Sequence, residues 1–204
     1  MNPCLITYHD KAQAPIALVS KETHEHFANT FGLDFVYESD EEVNKECYFK
    51  KINLTLRELN AGRPYVVWAD SDVVFNRQLQ ADFMEKAMEK RPMAMATEPM
   101  GLVDCFYIAK NDEMVKKLFQ MWLDLGYVRN VNHEQETFQV LYRNFPKITK
   151  MVTPLTMDMI GITFISNPAT IGKHFYARTK GLPVTIENMN RYKIQAFHEV
   201  VQAP

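Results

Sequence analysis

Residues 65–75 read YVVWADSDVVF, and this stretch decides the fold of the chain. Its first half is apolar and rich in β-branched and aromatic side chains, which is typical of a buried strand. The strand ends at two carboxylates, Asp70 and Asp72, and side chains two residues apart on extended backbone point the same way. Two parallel carboxylates favour a hard divalent cation such as Mg²⁺ or Mn²⁺. We therefore expect a metal site that holds a phosphate-bearing substrate; the alternative interpretation is a solvated turn after a core strand.

The composition is that of an ordinary globular protein. Of the 204 residues, 47% are hydrophobic and 24% are charged. A chain of this length can bury one full core, so we expect a single domain over residues 1–204, which could itself belong to a longer protein. The net charge of -2 gives no general attraction to nucleic acid or to anionic membranes, and we expect neither as a partner.

Cysteine usage and targeting signals bear on where the protein resides. The three cysteines are scattered, without Cys-x-x-Cys spacing, which suits reduced thiols in a cytosol-like compartment. The first residues lack the basic segment and long apolar core of a signal peptide, and no apolar run is long enough to cross a bilayer. We therefore expect a cytoplasmic protein. The sequence also contains neither Gly-x-Gly-x-x-Gly nor a P-loop, which argues against two common nucleotide folds.

Strands and helices alternate along the first 70 residues. Residues 5–8 and 35–37 have the composition of strands, while residues 16–31 and 46–59 show helical spacing of apolar side chains. This alternation favours an α/β fold with a largely parallel sheet. We interpret the acidic residues 38–42 as a solvated loop. Beyond Asp72 the pattern predicts helices over residues 81–90, 112–125 and 134–142, and strands over residues 93–97, 105–109, 151–155, 162–165 and 193–197.

Two of the expected strand ends carry polar side chains. Tyr8, His9 and Asp10 follow the first strand, and Asp70 and Asp72 follow the third. In open sheets of this class, ligands bind beyond the carboxyl ends of the strands. The two strand ends are therefore expected to converge on one ligand.

An apolar strand ending in Asp-x-Asp, placed after two βα units and a helix with a basic residue, resembles the GT-A class of nucleotide-sugar glycosyltransferases. Within that class the chain is similar to the glycogenin-like and galactosyl/xylosyltransferase families and to small glycosyltransferase domains of large algal viruses. The resemblance implies a Rossmann-like α/β domain with a mostly parallel central sheet flanked by helices and a small second sheet. It also implies Mn²⁺ or Mg²⁺ held by Asp70 and Asp72, where the cation bridges the diphosphate of a UDP-sugar donor.

Further site residues follow from the same resemblance. Lys51, in YFKKI, matches a basic residue that contacts the donor, although a solvated lysine pair is equally compatible with this stretch. Glu134 and Gln135, in HEQETF, match a pair that faces the donor sugar; acidic residues also suit a helix N-terminus for electrostatic reasons alone. Asp104, in LVDCF where the family often has Asn-x-Gly, is assigned to the sugar with them. The residues implied to bind the nucleotide and the metal-bound diphosphate are Thr7, Tyr8, His9, Asp10, Lys51, Asp70 and Ser71.

Two histidines compete for the third position around the metal. His198 follows the strand-like residues 194–197, which is how the family presents its ligand. His174, in HFYARTK, resembles the family's His-x-x-Gly-x-x-Lys with Ala177 in place of the glycine. Good helix caps at residues 167–168 and 181 favour a helix around His174 instead. We expect His198 to be the ligand, with His174 as the alternative.

The resemblance implies a metal-dependent glycosyltransferase that moves a sugar from a UDP-sugar to an acceptor hydroxyl of a glycan or glycoprotein, with retention of configuration. One alternative is a phosphatase of the haloacid dehalogenase type, with Asp70 as the nucleophile. That class usually carries its Asp-x-Asp on the first strand and needs a later acidic pair, whereas Asp158 stands alone here. A protein that binds nucleotide sugars without turnover is a third reading.

Overall fold

The computed structural model describes residues 1–42, 47–98, 101–129, 134–156, 159–162, 171–175 and 182–195. Within these ranges the chain forms two sheets and the helices around them. Its elements in chain order are β1 Cys4–Asp10, α1 Ala14–Thr30, β2 Asp34–Asp40, α2 Cys47–Asn60, β3 Tyr65–Ala69, β4 Val73–Phe75, α3 Phe83–Met88, β5 Met93–Glu98, β6 Gly101–Lys110, α4 Glu113–Arg129, α5 Glu134–Asn144, α6 Pro146–Met151, β7 Val152–Leu155, β8 Ile160–Ile162, β9 Gly172–His174 and α7 Leu182–Lys193.

The central sheet has six strands in the order β2-β1-β3-β6-β5-β7. Strand β6 is antiparallel to both of its neighbours, and the other pairings in this sheet are parallel. A second sheet, of three strands, has the order β4-β9-β8. The predicted α/β fold, with a mostly parallel central sheet and a small second sheet, is therefore confirmed.

Strand β3 is buried on both faces, because helices cover both sides of the central sheet. Val66 and Trp68 point into a core built with α2, α4 and α5. Val67 and Ala69 point into a second core built with α1 and α3. A strand covered in this way reads as a continuous apolar run, which is why residues 65–69 are recognisable in the sequence.

Helix α1 ends where the sequence predicts. Gly32 adopts a φ of 64°, in the left-handed region that suits glycine at the end of a helix. The N–H of Leu33 then donates to the carbonyl oxygen of Ala28 at 2.8 Å, which closes the helix and directs the chain into β2. None of the described helices is both long enough and apolar enough to span a bilayer.

The loop predicted over residues 38–42 is wrong in its first part. Glu38, Ser39 and Asp40 continue β2, because they pair in register with the last residues of β1. Asp40 accepts a hydrogen bond from the hydroxyl of Tyr8 at 2.8 Å and lies 3.4 Å from Nζ of Lys50. Asp40 is therefore stabilised by polar side chains at the end of the sheet, and not only by water as the acidic composition suggests.

The strand predicted over residues 193–197 is also wrong in its described part. Helix α7 runs to Lys193 and buries Thr185 and Met189, which lie four residues apart on one helical face. Met189 packs with Ile16, Val74 and Phe175 in a small core between α1 and the second sheet. Too few apolar residues lie near position 194 for their spacing to distinguish a helix from a strand, which is why the sequence alone misled here.

The helix predicted around His174 is replaced there by strand β9. Gly172, Lys173 and His174 pair with β4 in antiparallel register, with His174 opposite Val73. A Cβ atom on Gly172 would lie 2.7 Å from the carbonyl oxygen of Val74, so the glycine permits the close approach of the two strands. Pairing with β4 thus overrides the helix caps present in this part of the sequence.

The buried imidazole of His24 makes the stability of the fold pH-dependent. Its Nε2 donates to the carbonyl oxygen of Val73 at 2.8 Å, and burial lowers the pKa of His24 from 6.5 to about 4. The unfolded chain takes up this proton near pH 6.5, but the folded chain takes it up only near pH 4. Stability from the neutral imidazole is therefore present above pH 6.5 and is lost as the pH falls towards 4.

We predict that His24→Gln reduces the fall in the free energy of unfolding between pH 7 and pH 4 by about 3 kcal/mol, the value of the shift at 1.36 kcal/mol per pH unit. Urea unfolding followed by circular dichroism at several pH values measures this difference. The matched control is His26→Gln, on the exposed side of the same helix. An unchanged pH profile in the His24 variant contradicts the prediction.

Candidate metal centre and active site

Asp70, Asp72 and His174 form a group that can hold a cation. One ligand atom from each residue lies within 4.8 Å of the others. The loop after β3 supplies both carboxylates, and pairing of β9 with β4 brings the imidazole beside them. The Nε2 atom of His174 lies 3.3 Å from Oδ1 of Asp72. The position of the cluster, at the carboxyl end of the central strand β3, is where ligands bind in this class of sheet.

Asp70 is held firmly through one of its two oxygens. Its Oδ1 accepts a hydrogen bond from Nε1 of Trp68 at 2.7 Å and pairs with Nζ of Lys51 at 3.0 Å. Its Oδ2 makes no hydrogen bond or ion pair with the part of the chain that the structure describes. Because the side chain is 26% exposed, that second oxygen is the one suited to a cation. Outer partners of this kind orient a metal ligand.

The imidazole of His174 lies among acidic and sulfur-containing side chains. Burial disfavours its charged form, yet the adjacent Cys105 and Asp72 raise the pKa of His174 well above 6.5. Burial also raises the pKa of the Cys105 thiol, so Asp72 is the anionic neighbour at neutral pH. On the other side of the ring, Nδ1 lies 3.8 Å from Oε1 of Glu98, at the end of β5. A bound cation would take the place of a proton on this imidazole.

The donor set of the cluster fits a divalent cation. Two carboxylates and one imidazole suit Mn²⁺ well and Mg²⁺ through the oxygens. The negative charge of Asp70 and Asp72 is only partly compensated, by Lys51 at Asp70 and by a protonated His174 at Asp72. We therefore regard the three residues as able to hold the cation that the sequence predicts.

Lys51 is the centre of a buried charge cluster next to this group. Its ammonium lies 3.0 Å from Asp70, 3.4 Å from Asp104 and 3.0 Å from Glu134. The side chain reaches inward from α2, Asp104 lies within β6, and Glu134 is the first residue of α5. With only 4% of Lys51 exposed, these contacts are shielded from water. The cluster connects three elements of the fold to residues 70–72, the loop of the candidate metal centre, which we call the metal loop.

The cluster has one cation for three carboxylates, and its titration reflects this excess of acid. Burial, together with the nearby Asp104 and Asp70, raises the pKa of Glu134 to about 8 against the opposing effect of Lys51. Burial likewise raises the pKa of Asp104. Ionisation of Glu134 is therefore less favourable than that of an exposed carboxyl group. Oε2 of Glu134 is buried without a hydrogen-bond partner among the described residues, whereas Oδ2 of Asp104 lies 3.4 Å from Nζ of Lys51.

The end of β1 lies beside the metal loop, as the sequence predicts. The hydroxyl of Thr7 donates to the carbonyl oxygen of Ala69 at 2.8 Å. Tyr8 is held by its bond to Asp40, described above, and the ring of His9 packs on Tyr37 with centroids 5.1 Å apart. These contacts fix side chains that were expected to line a nucleotide.

The turn after β1 is tied to Ser71, the residue between Asp70 and Asp72. Oδ1 of Asp10 accepts the N–H of Gln13 at 3.1 Å. The hydroxyl of Ser71 then donates to Oε1 of Gln13 at 3.2 Å. The structure thus brings Asp10 and Ser71 to the same end of the sheet through Gln13, which the sequence analysis did not identify.

The remaining predicted residues have different outcomes. Gln135 is half-buried beside Glu134 at the start of α5. His198 lies outside the described residues, and its role as the metal ligand stays a prediction, while His174 is the histidine that the structure brings to the aspartates. Sequence reasoning missed Trp68 and Glu98. The sequence contains a signal for each of them. Trp68 lies two residues before Asp70 and shares its strand face, and Glu98 is a carboxylate at the end of a strand.

We predict that Lys51→Met lowers the free energy of unfolding by roughly 3–5 kcal/mol, because it leaves buried carboxylates without their cation. Adding Glu134→Gln and Asp104→Asn to Lys51→Met should restore part of that loss. Urea unfolding measures both changes. The control is Lys50→Met, which removes a partly exposed pair with Asp40 and should cost at most about 1 kcal/mol. Equal losses in the two single variants would show that the buried cluster has no special weight.

Comparison with known proteins supports the fold. No protein-family model matches the chain, and no curated protein matches its sequence. The chain is similar in structure to a glycosyltransferase involved in the glycosylation of the major capsid of PBCV-1, with a TM-score of 0.75, 16% identity, and coverage of 94% of this chain and 100% of the other. It is also similar to the glycosyltransferase GlyE of Streptococcus pneumoniae TIGR4, with a TM-score of 0.60, 11% identity, and coverage of 92% of this chain and 60% of the other. The chain therefore has a glycosyltransferase fold like that of a viral enzyme, as the sequence resemblance predicted.

Proposed function

We propose that this protein is a metal-dependent glycosyltransferase that transfers a sugar from a UDP-sugar to an acceptor hydroxyl of a glycan or glycoprotein. The observation that carries the proposal is the Asp70, Asp72 and His174 group, whose ligand atoms lie within 4.8 Å of one another. The group stands at the carboxyl end of β3, in a chain whose fold is similar to that of two solved glycosyltransferases. A glycoprotein acceptor is supported by the capsid glycosylation in which the viral neighbour is involved.

In this proposal Asp70, Asp72 and His174 hold Mn²⁺ or Mg²⁺. When bound, the cation acts as a Lewis acid that stabilises the negative charge of the departing nucleoside diphosphate. The protein's own contribution is orientation: Trp68 and Lys51 fix one oxygen of Asp70, and β4–β9 pairing fixes His174. Rigid placement of this kind lowers the reorganisation needed during reaction.

The residues at the end of β1 are proposed to bind the nucleotide. Thr7, Tyr8, His9 and Asp10 are held by neighbouring groups, so their positions at the end of β1 are fixed before a base and ribose bind. Ser71 lies between the metal ligands and is tied to the same turn. Preformed polar surfaces favour binding because less side-chain freedom is lost.

The donor sugar is proposed to lie against Asp104, Glu134 and Gln135. Oε2 of Glu134 has no hydrogen-bond partner among the described residues, and a sugar hydroxyl is a suitable donor to it. Lys51 acts indirectly here by compensating the charge of the Asp104 and Glu134 carboxyl groups.

The contacts of Glu134 bear on the stereochemistry. Its carboxyl group is buried and lies 3.0 Å from Nζ of Lys51, so it is engaged within the protein and is not free to act as a base towards an acceptor. Inversion requires a base that activates the acceptor from the opposite side of the sugar. We therefore favour retention of configuration.

Metal binding gives a first test. Asp72→Ala and His174→Ala should each weaken Mn²⁺ binding, measured by calorimetry, by more than the 10–100-fold that loss of an outer partner typically costs. Mn²⁺-dependent binding of UDP should weaken in parallel. His198→Ala is the comparison: a large loss there, with unchanged affinity in His174→Ala, would restore His198 as the ligand. Unchanged affinity in Asp72→Ala would contradict the metal site altogether.

Turnover gives a second test. With Mn²⁺ and a UDP-sugar, the protein should release UDP slowly without an acceptor, because water can replace the acceptor hydroxyl. Release should require the metal and be lost in Asp70→Asn. Rapid hydrolysis of simple phosphomonoesters, lost in the same variant, would instead support a phosphatase. Tight binding of UDP-sugars with no turnover, even with glycan acceptors, would support a non-catalytic binder.

A further inference from the structure

Strand β4 continues the metal loop, and its backbone groups point alternately to two sides. On one side the carbonyl oxygen of Asp72 accepts the N–H of Phe175 at 3.0 Å, and the N–H of Asn76 donates to Ile171 at 2.9 Å. These even-numbered residues of the β4 segment therefore pair with the β9 side. Backbone groups of residues 71, 73 and 75 face the other edge of β4, where the second sheet has no further strand among the described residues.

Side chains of helix α1 satisfy that edge. The hydroxyl of Ser20 donates to the carbonyl oxygen of Ser71 at 2.7 Å. Nε2 of His24 donates to the carbonyl oxygen of Val73 at 2.8 Å. These two bonds take up the first two backbone acceptors at the edge.

Thr23 completes the set with the next residue on that edge. The N–H of Phe75 donates to Oγ1 of Thr23 at 3.2 Å, and the same hydroxyl donates to the carbonyl oxygen of Ser20 at 2.7 Å. The three helix side chains lie on one face of α1 and are at most 1% exposed. They make the hydrogen bonds that a neighbouring strand would make.

This polar face is unusual for a helix that covers a sheet, since buried polar groups are costly unless they are paired. An apolar face on α1 would pack as well but would leave three backbone groups of β4 without partners. The bonds therefore have a specific effect. Ser20 fixes the peptide plane that precedes Asp72, and His24 and Thr23 fix the two planes that follow Val73 and Val74. A rotation of the backbone beside Asp72 would change the direction of its carboxylate. The polar face of α1 therefore affects the orientation of a proposed metal ligand.

We propose that Ser20, Thr23 and His24 are positioning residues for the metal centre, acting by holding the backbone of residues 71–75. The inference rests on the proposed function, because it assumes that Asp70 and Asp72 bind a cation. It goes beyond that function by assigning part of the metal affinity to a helix that supplies no ligand. The coupling runs from a side-chain hydroxyl to a backbone carbonyl and from there to Asp72.

The test is calorimetric titration of the full chain with Mn²⁺ alone. Ser20→Ala removes the donor to Ser71, and Thr23→Val removes the acceptor for Phe75 at nearly constant volume. Each should weaken Mn²⁺ affinity by about 10-fold or more, as loss of an outer partner does at other metal sites. Thr23→Ser keeps the hydroxyl and should bind nearly as the parent does.

The matched control is Ala28→Gly, a buried position further along α1 that makes no hydrogen bond with the described residues 70–76. It destabilises the same helix but should leave Mn²⁺ affinity unchanged. Parent-like affinity in Ser20→Ala and Thr23→Val overturns the proposal, as does an equal loss in Ala28→Gly.

Amide hydrogen exchange of residues 71–76 without metal provides the second measurement. Faster exchange in Ser20→Ala and Thr23→Val, but not in Thr23→Ser, is expected, and parental exchange rates overturn the proposal even if a variant binds metal poorly. A parent chain that binds no Mn²⁺ is a different result. It contradicts the proposed function, whereas the variants and the exchange rates test the role of α1.

Discussion

The charge balance around Lys51 is the constraint on which the site depends. One buried ammonium faces three carboxylates, and one of these, Asp70, also belongs to the metal group. The lysine therefore cannot move towards a ligand without leaving Asp104 and Glu134 uncompensated. Burial strengthens such interactions, since water does not screen them. In the resulting arrangement, Oδ1 of Asp70 contacts Trp68 and Lys51, and Oδ2 is the oxygen that can bind a cation.

The metal group also joins the two sheets of the molecule. Asp70 follows β3 of the central sheet, while His174 ends β9 of the small sheet. Asp72 lies between them and leads into β4. The loop that carries the aspartates is thus held from three directions: by Lys51 and Trp68 at one end, by β9 on one edge of β4, and by α1 on the other. A short loop with few apolar contacts of its own obtains its rigidity from these neighbours.

The features that could be predicted from sequence are those that depend on residues close together in the chain. The apolar run before Asp70 identifies a strand covered on both faces, and Gly32 marks the end of α1 through its conformational freedom. The fold class follows from the alternation of such elements. Pairing between distant segments does not show in the local sequence, and this explains the wrong helix prediction around His174. Good helix caps lie nearby in the sequence, but in the folded chain this segment pairs with the backbone of β4.

The same reason limits what the sequence could say about the charged residues. Spacing alone shows Lys51 beside Lys50 on a helix, with no sign that one is buried among carboxylates and the other pairs with Asp40 near the surface. The resemblance to known transferases selected the right members of the cluster, Lys51, Asp104 and Glu134, but as separate contacts to a donor. Their mutual neutralisation becomes visible only in three dimensions.

The pairing of β4 with β9 has a consequence for the order in which the protein is made. His174 follows Asp72 by 102 residues, so the ribosome releases the carboxylates long before the imidazole. Domains fold from the N-terminus as synthesis proceeds. The central sheet has all its strands once β7 has emerged, whereas the Asp-Asp-His set waits for β9. A nascent or prematurely terminated chain can therefore carry much of the fold while lacking His174, so the candidate cation group is complete only after β9 has been synthesised.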